Sequence, residues 1–155
     1  LDTFKADAAC VVPAQRAGSI AMAAGVNDGD WCPINPANMT AKADENIYVL
    51  GDASVASSMP KSGFSANSQA KVAANHLRGA LTGSRVYEPR FANTCWSLIG
   101  TNDGIKVGAN YKAGAEKIDV TDKFVSQGDE TAEIRKATYE ETIGWYEGST
   151  SDMFS

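Results

Sequence analysis

The chain has 155 residues, of which 43% are hydrophobic and 21% charged, and its formal net charge is -5. That length supports a real hydrophobic core, and the composition is that of an ordinary globular protein. The negative balance argues against a nucleic-acid partner, which needs a basic footprint, and no apolar run reaches the ~18 residues of a membrane span.

In chain order, residues 7–12, with Cys10 among them, read as a short buried strand ended by Pro13. Residues 14–24 are alanine-rich and suit a helix closed by Gly25, and Asn27-Asp28-Gly29-Asp30 is a turn cluster. Trp31-Cys32-Pro33-Ile34 reads as a short strand at an edge or an end, because Pro33 cannot donate to a ladder. Residues 37–46 are polar and loop-like. Ile47-Tyr48-Val49-Leu50 is the clearest strand signal, apolar throughout and so expected to be buried on both faces. A loop over residues 57–63 leads into a helix predicted over 64–81, with Gly83 just past its end. Residues 93–99 and 105–111 form a predicted hairpin about Asn102-Asp103-Gly104. Residues 114–128 read as irregular, 130–145 as a final helix and 147–155 as a polar tail. The pattern is α/β, passing to α+β in the C-terminal part.

The segment from Ile47 to Asp52 has a clear physical logic. A buried strand delivers an acidic residue to its carboxyl end, where open α/β sheets bind their ligands. Gly51 permits close backbone approach, and Asp52 can accept a hydrogen bond from a sugar or polyol hydroxyl. The helix after Met59-Pro60-Lys61-Ser62-Gly63 then offers its N-terminal amides and partial positive charge to an electron-rich group. Strands ending in Gly-Asp are common, so the continuation carries the specificity. Pro60-Lys61-Ser62-Gly63-Phe64-Ser65 resembles the Pro-Lys-(Ser/Thr)-Gly segment of sulfide:quinone reductases and of the flavin subunits of flavocytochrome c sulfide dehydrogenases. Asn93-Thr94-Cys95-Trp96-Ser97-Leu98-Ile99 resembles a cysteine segment of the latter family, and Trp145-Tyr146 with Phe154 resembles its C-terminal end. The likeness is strongest over residues 1–111, weakens over 112–138 and recovers over 145–154.

This resemblance implies a C-terminal portion of a two-dinucleotide-binding-domain flavoprotein. Residues 1–26 would end an NADH-like domain, 27–84 form the second segment of an FAD-binding domain, and 85–155 a C-terminal flavin-binding and interface domain. Gly51 and Asp52 would hold the ribityl-phosphate region of FAD, with Pro60, Lys61, Ser62 and Gly63 near the flavin ring. Trp145 is a further cofactor-binding candidate, although an aromatic pair can equally close a core. Cys95 would be the catalytic residue, one half of a redox disulfide that sulfide attacks. By itself a free cysteine is more often inert core. The implied partners are sulfide and a c-type cytochrome subunit that carries the haem, in the periplasm. No metal site is expected here: there is one histidine, His76, and no Cys-x-x-Cys.

The three cysteines leave one thiol unpaired within the chain. The partner of Cys95 is expected outside it, and a Cys10–Cys32 disulfide remains open. His76 reads as a solvated helix residue in preference to a catalytic base, and Glu140 and Glu141 as a solvated helix face. No Gly-x-Gly-x-x-Gly occurs, so the ADP half of FAD would be held elsewhere and the isolated piece is expected to be inactive. The competing readings are a sulfide:quinone reductase, an NADH-type flavin oxidoreductase in which Cys95 is incidental, and a non-catalytic module derived from a flavoprotein.

Overall fold

The computed structural model describes residues 2–154, and its mixture of helices and sheets is α/β. The short helix α1 (Ser19–Ala23) is followed by Gly25, whose φ of 67° ends it. The strands β1 (Cys32–Pro33) and β2 (Ser54–Val55) pair in parallel. Between them Gly51–Ala53 makes a single 3-10 turn. The long helix α2 (Gly63–Thr82) begins at Ser62, whose hydroxyl accepts from the Ser65 amide, and ends at Gly83 with φ 69°. Its inner face is built of small and polar residues, Ser65, Gln69, Val72, Ala73 and Gly79, spaced at helical intervals. The strands β3 (Arg90–Gly100), β4 (Asp103–Ala113) and β5 (Ile118–Val125) form an antiparallel meander. The helix α3 (Ala132–Phe154) crosses one face of it. Among the described residues, no helix is long and apolar enough to cross a membrane.

Two linked clusters make the core. Ala17, Ala21, Val26, Cys32 and Ala41 close one. The other joins Ile34, Met39, Ala56 and Met59 to Val72 and Ala73 of α2 and to Phe91, Ala109, Tyr111 and Ile118 of the sheet. The sheet face carrying Phe91, Asn93 and Cys95 is therefore covered at the Phe91 end. Toward Cys95 it opens: Val107 and Val125, the neighbours of Cys95 across the ladder, are exposed. On the opposite face α3 lies so close to β4 that a Cβ at Gly104 would sit 2.9 Å from the Tyr139 amide nitrogen.

Several expectations from sequence need correction. Residues 7–12 form no strand, and Cys10 is exposed instead of lying in the core. Residues 47–50 are extended but bridge only at Tyr48–Thr40, and Leu50 is exposed. An apolar run becomes a strand only when neighbours supply a ladder on its edges, and here one loop, residues 39–41, supplies the bonds. The hairpin turns one residue earlier than predicted, on Thr101 and Asn102, with Asn102 at φ 57°. The irregular stretch 114–128 contains β5, and the tail is helical to Phe154. Thr150 bonds back to Tyr146 and Glu147, and Lys71 of α2 pairs with Asp152 at 3.6 Å. These ties hold a Gly/Ser/Thr-rich turn whose own propensity for helix is low.

Candidate functional site

The Gly51-Asp52 loop is held from behind by α2. Gly51 adopts φ 67°, a conformation that favours glycine. Its amide donates to Gln69 Oε1 at 2.7 Å, and the Ser54 hydroxyl donates to the Gly51 carbonyl at 2.8 Å. Gln69 is fully buried, and its amide end reaches the Met59 sulfur at 3.8 Å. The Asp52 side chain is left exposed at the tip of the turn. Lys61 folds back over this loop: its ammonium donates to the Asp52 carbonyl and to the Ser54 carbonyl and stands 3.7 Å from the centre of the Trp31 ring. Partial burial there lowers its pKa, against the opposing pull of Asp52 and Cys32. Cys32 lies beneath, wholly inaccessible, its thiol pushed up by burial and only partly relieved by Lys61, so it remains a neutral core thiol.

Gln69→Leu is expected to cost about 1 kcal/mol, because it leaves the half-buried Gly51 amide without its acceptor. It also frees the loop that presents Asp52, so the thermal midpoint falls and amide exchange at Gly51 quickens. Unchanged values for both would show that Gln69 does not hold this loop.

A second group gathers where α2 meets β3. The Ser62 and Ser65 hydroxyls both donate to Asn93 Oδ1, and the Asn93 amide donates to Cys95 Sγ at 3.4 Å. Phe64 stacks on Trp145 with ring centroids 5.4 Å apart, and Trp96 closes the cluster at 5.7 Å from Phe64 and 5.6 Å from Trp145. The residue after Gly63, the residue after Cys95 and Trp145 of α3 thus meet in one aromatic contact. Cys95 itself is exposed, in a cleft shared with Ile105, Val107 and Val125. Tyr111 lies deeper on the same face, its phenol pushed up by burial and by the nearby Cys95.

Residues 87–154 match the family described as flavocytochrome c sulphide dehydrogenase, flavin-binding. This segment, a little under half of the chain, is similar to that flavin-binding family. The match supports a flavoprotein role and a flavin cofactor.

The flavin-binding segment carries Cys95 and Trp145, while Gly51, Asp52 and Pro60 to Gly63 precede it. The structure links Ser62 to Cys95 through Asn93 on one face of β3, sets Trp145 against Phe64 and Trp96 on the other, and ties the Gly51 amide to α2 through Gln69. The Lys61 side chain is engaged within the loop, and Pro60 lines a cleft with Trp31, Val55 and Met59. Cys10 and Cys32 are both free thiols, so the Cys10–Cys32 pairing is not formed. His76 is half-buried, its Nδ1 hydrogen-bonded to the Tyr48 hydroxyl at 2.8 Å, which makes it a packing residue in place of a solvated one. Glu140 pairs with Lys136 one helical turn away, and Glu141 with Lys106 of β4. Asn93 and Gln69 went unassigned from sequence. The only signal for Asn93 was a polar residue at an inward position of a strand, and Gln69 carried none beyond its place in the helix.

Proposed function

We propose that this chain is part of an FAD-dependent sulfide dehydrogenase in which Cys95 forms half of a redox disulfide beside the flavin. The observation that carries this reading is the placement of Cys95: exposed at the open end of a sheet, joined through Asn93 to the N-terminus of α2, and followed by Trp96 in contact with Phe64 and Trp145.

The residues fit a flavin. Gly51 in its left-handed conformation and the exposed Asp52 carboxylate would take the ribityl-phosphate region. The Gly63 and Phe64 amides in the first turn of α2, which have no intrahelical acceptor, would face the ring beside Pro60 and Ser62, with Lys61 bracing the loop from within. The Trp96 indole Nε1 is buried without a hydrogen-bond partner among the described residues. An orphan donor of this kind is costly unless a ligand completes it. Trp145 would pack at the edge of the same site.

In the reaction, HS⁻ bonds to one sulfur of the disulfide while the cysteine–cysteine bond breaks. One cysteine then carries a persulfide and the other departs as a thiolate holding the bonding pair. Loss of the outer sulfur and re-formation of the disulfide complete the balance HS⁻ → S⁰ + H⁺ + 2 e⁻. FAD bound beside the disulfide would supply the two-electron acceptor, and a c-type cytochrome subunit the onward sink. Residues 1–26 close an NADH-like domain, 27–84 belong to the FAD-binding domain and 85–155 to the C-terminal domain, in a periplasmic enzyme where disulfides persist.

The test uses the full-length flavoprotein under anaerobic conditions. Sulfide is expected to bleach the visible flavin band rapidly and, with the cytochrome present, to reduce its haem, whereas NADH does neither. Rapid bleaching by NADH and none by sulfide would replace this reading with an NADH-type oxidoreductase.

A further inference from the structure

We infer that Asn93 is a positioning residue for Cys95, whose side-chain amide donates to the sulfur and favours its thiolate form. The inference rests on the redox reading of Cys95 and adds a residue to it. Asn93 is 3% exposed, and a buried carboxamide must find partners for both ends. The oxygen end is fixed by two hydroxyls. Ser62 Oγ already accepts from the Ser65 amide at 3.1 Å as the cap of α2, so its proton is directed to Asn93 Oδ1, and Ser65 Oγ donates to the same oxygen at 3.1 Å. With the carbonyl end so held, the NH₂ end is turned to Cys95 Sγ at 3.4 Å.

A donor aimed at sulfur stabilises the charged form more than the neutral one. A sulfur stabilised as thiolate is also the better leaving group when a disulfide opens. The other titratable and charged groups near the sulfur do not supply this. Tyr111 is held as a neutral phenol, Lys106 directs its ammonium to Glu141 on the opposite face, and Lys123 of β5, on the same face as Cys95, is exposed to solvent two strands away, level with Asn93. Asn93 thereby couples Cys95 to the N-terminus of α2, the element assigned to the flavin.

The experiment is carried out on the reduced full-length protein. Alkylation of Cys95 by iodoacetamide is followed by peptide-level mass spectrometry, which separates it from Cys10 and Cys32, at neutral pH and on the alkaline plateau. Asn93→Ala is expected to lower the ratio of the neutral to the plateau rate about tenfold, the worth of one charge-assisted hydrogen bond. Asn93→Asp keeps the size and both hydroxyl contacts while placing an oxygen against the sulfur, and it is expected to lower the ratio further. A structural role alone would change exposure and move both rates together, leaving the ratio unchanged. An unchanged ratio in either variant, or a raised ratio in the Ala variant, overturns the inference. Sulfide-driven bleaching that survives Cys95→Ser would instead defeat the redox reading, whatever the alkylation ratios show.

Discussion

Cys95→Ser is expected to abolish sulfide-driven flavin reduction, slowing it about a thousandfold or more, while the flavin stays bound. The magnitude follows from the role. Sulfide oxidation of this type needs a sulfur–sulfur bond to attack, and a hydroxyl can neither form that bond nor leave as a stabilised anion, so the chemical step loses its covalent route. Retention of flavin follows from position. Cys95 is exposed at the open end of the sheet and contributes nothing to either core cluster, so its replacement leaves the Gly51 loop, the α2 cap and the aromatic cluster in place. Stopped-flow bleaching and the flavin-to-protein ratio of the same preparation measure both parts. Equal bleaching rates in the two proteins would demote Cys95 to packing.

Gly108→Ala is expected to lower the thermal midpoint by several degrees and to slow sulfide-driven bleaching at the same time. Gly108 lies opposite Thr94 and Phe124 in the sheet. An added Cβ would stand 2.3 Å from the Asn93 carbonyl oxygen and 2.4 Å from the Phe124 ring. The ring can turn aside, but the carbonyl belongs to the β3 backbone and must shift with its strand. Overpacking of this kind costs about 1–3 kcal/mol, which for a domain of this size is a fall of about 3–10 °C. The shift falls on Asn93, two residues before Cys95, and a displacement near 1 Å at a reacting group can cost about a hundredfold in rate. A midpoint and a bleaching rate both equal to those of the unaltered protein would mean that β3 and β4 are less closely packed than described.

What could be read from the sequence follows from how local each signal is. The end of helix α2 was legible because Gly83 acts within a few residues of itself, through a left-handed turn. The Gly51-Asp52 turn and the β3–β4 hairpin carried their own chemistry in the same way. The strand β5 was hidden by an irregularity. Ile118 and Val120 face the core, but the register slips opposite Asn110 and Tyr111, and from there Lys123 and Val125 take the same face. The period of two is therefore broken in mid-strand. Residues 47–50 misled in the opposite sense, since an apolar run states a wish for burial and not the presence of neighbours. The site divides along the same line. Cys95 and the Pro60–Gly63 segment were found by their resemblance to a family. Asn93 and Gln69 act through partners 28 and 18 residues away in the chain, and pairings at that range are fixed by packing alone.

A non-reducing peptide map of the oxidised full-length enzyme, before and after anaerobic sulfide, reads directly whether Cys95 is one half of a redox disulfide. The Cys95 peptide is expected to be joined by a disulfide to a cysteine other than Cys10 or Cys32, and sulfide to open this link and add sulfur to one of the pair. A Cys95 that is a free thiol in oxidised enzyme still competent to oxidise sulfide would contradict this.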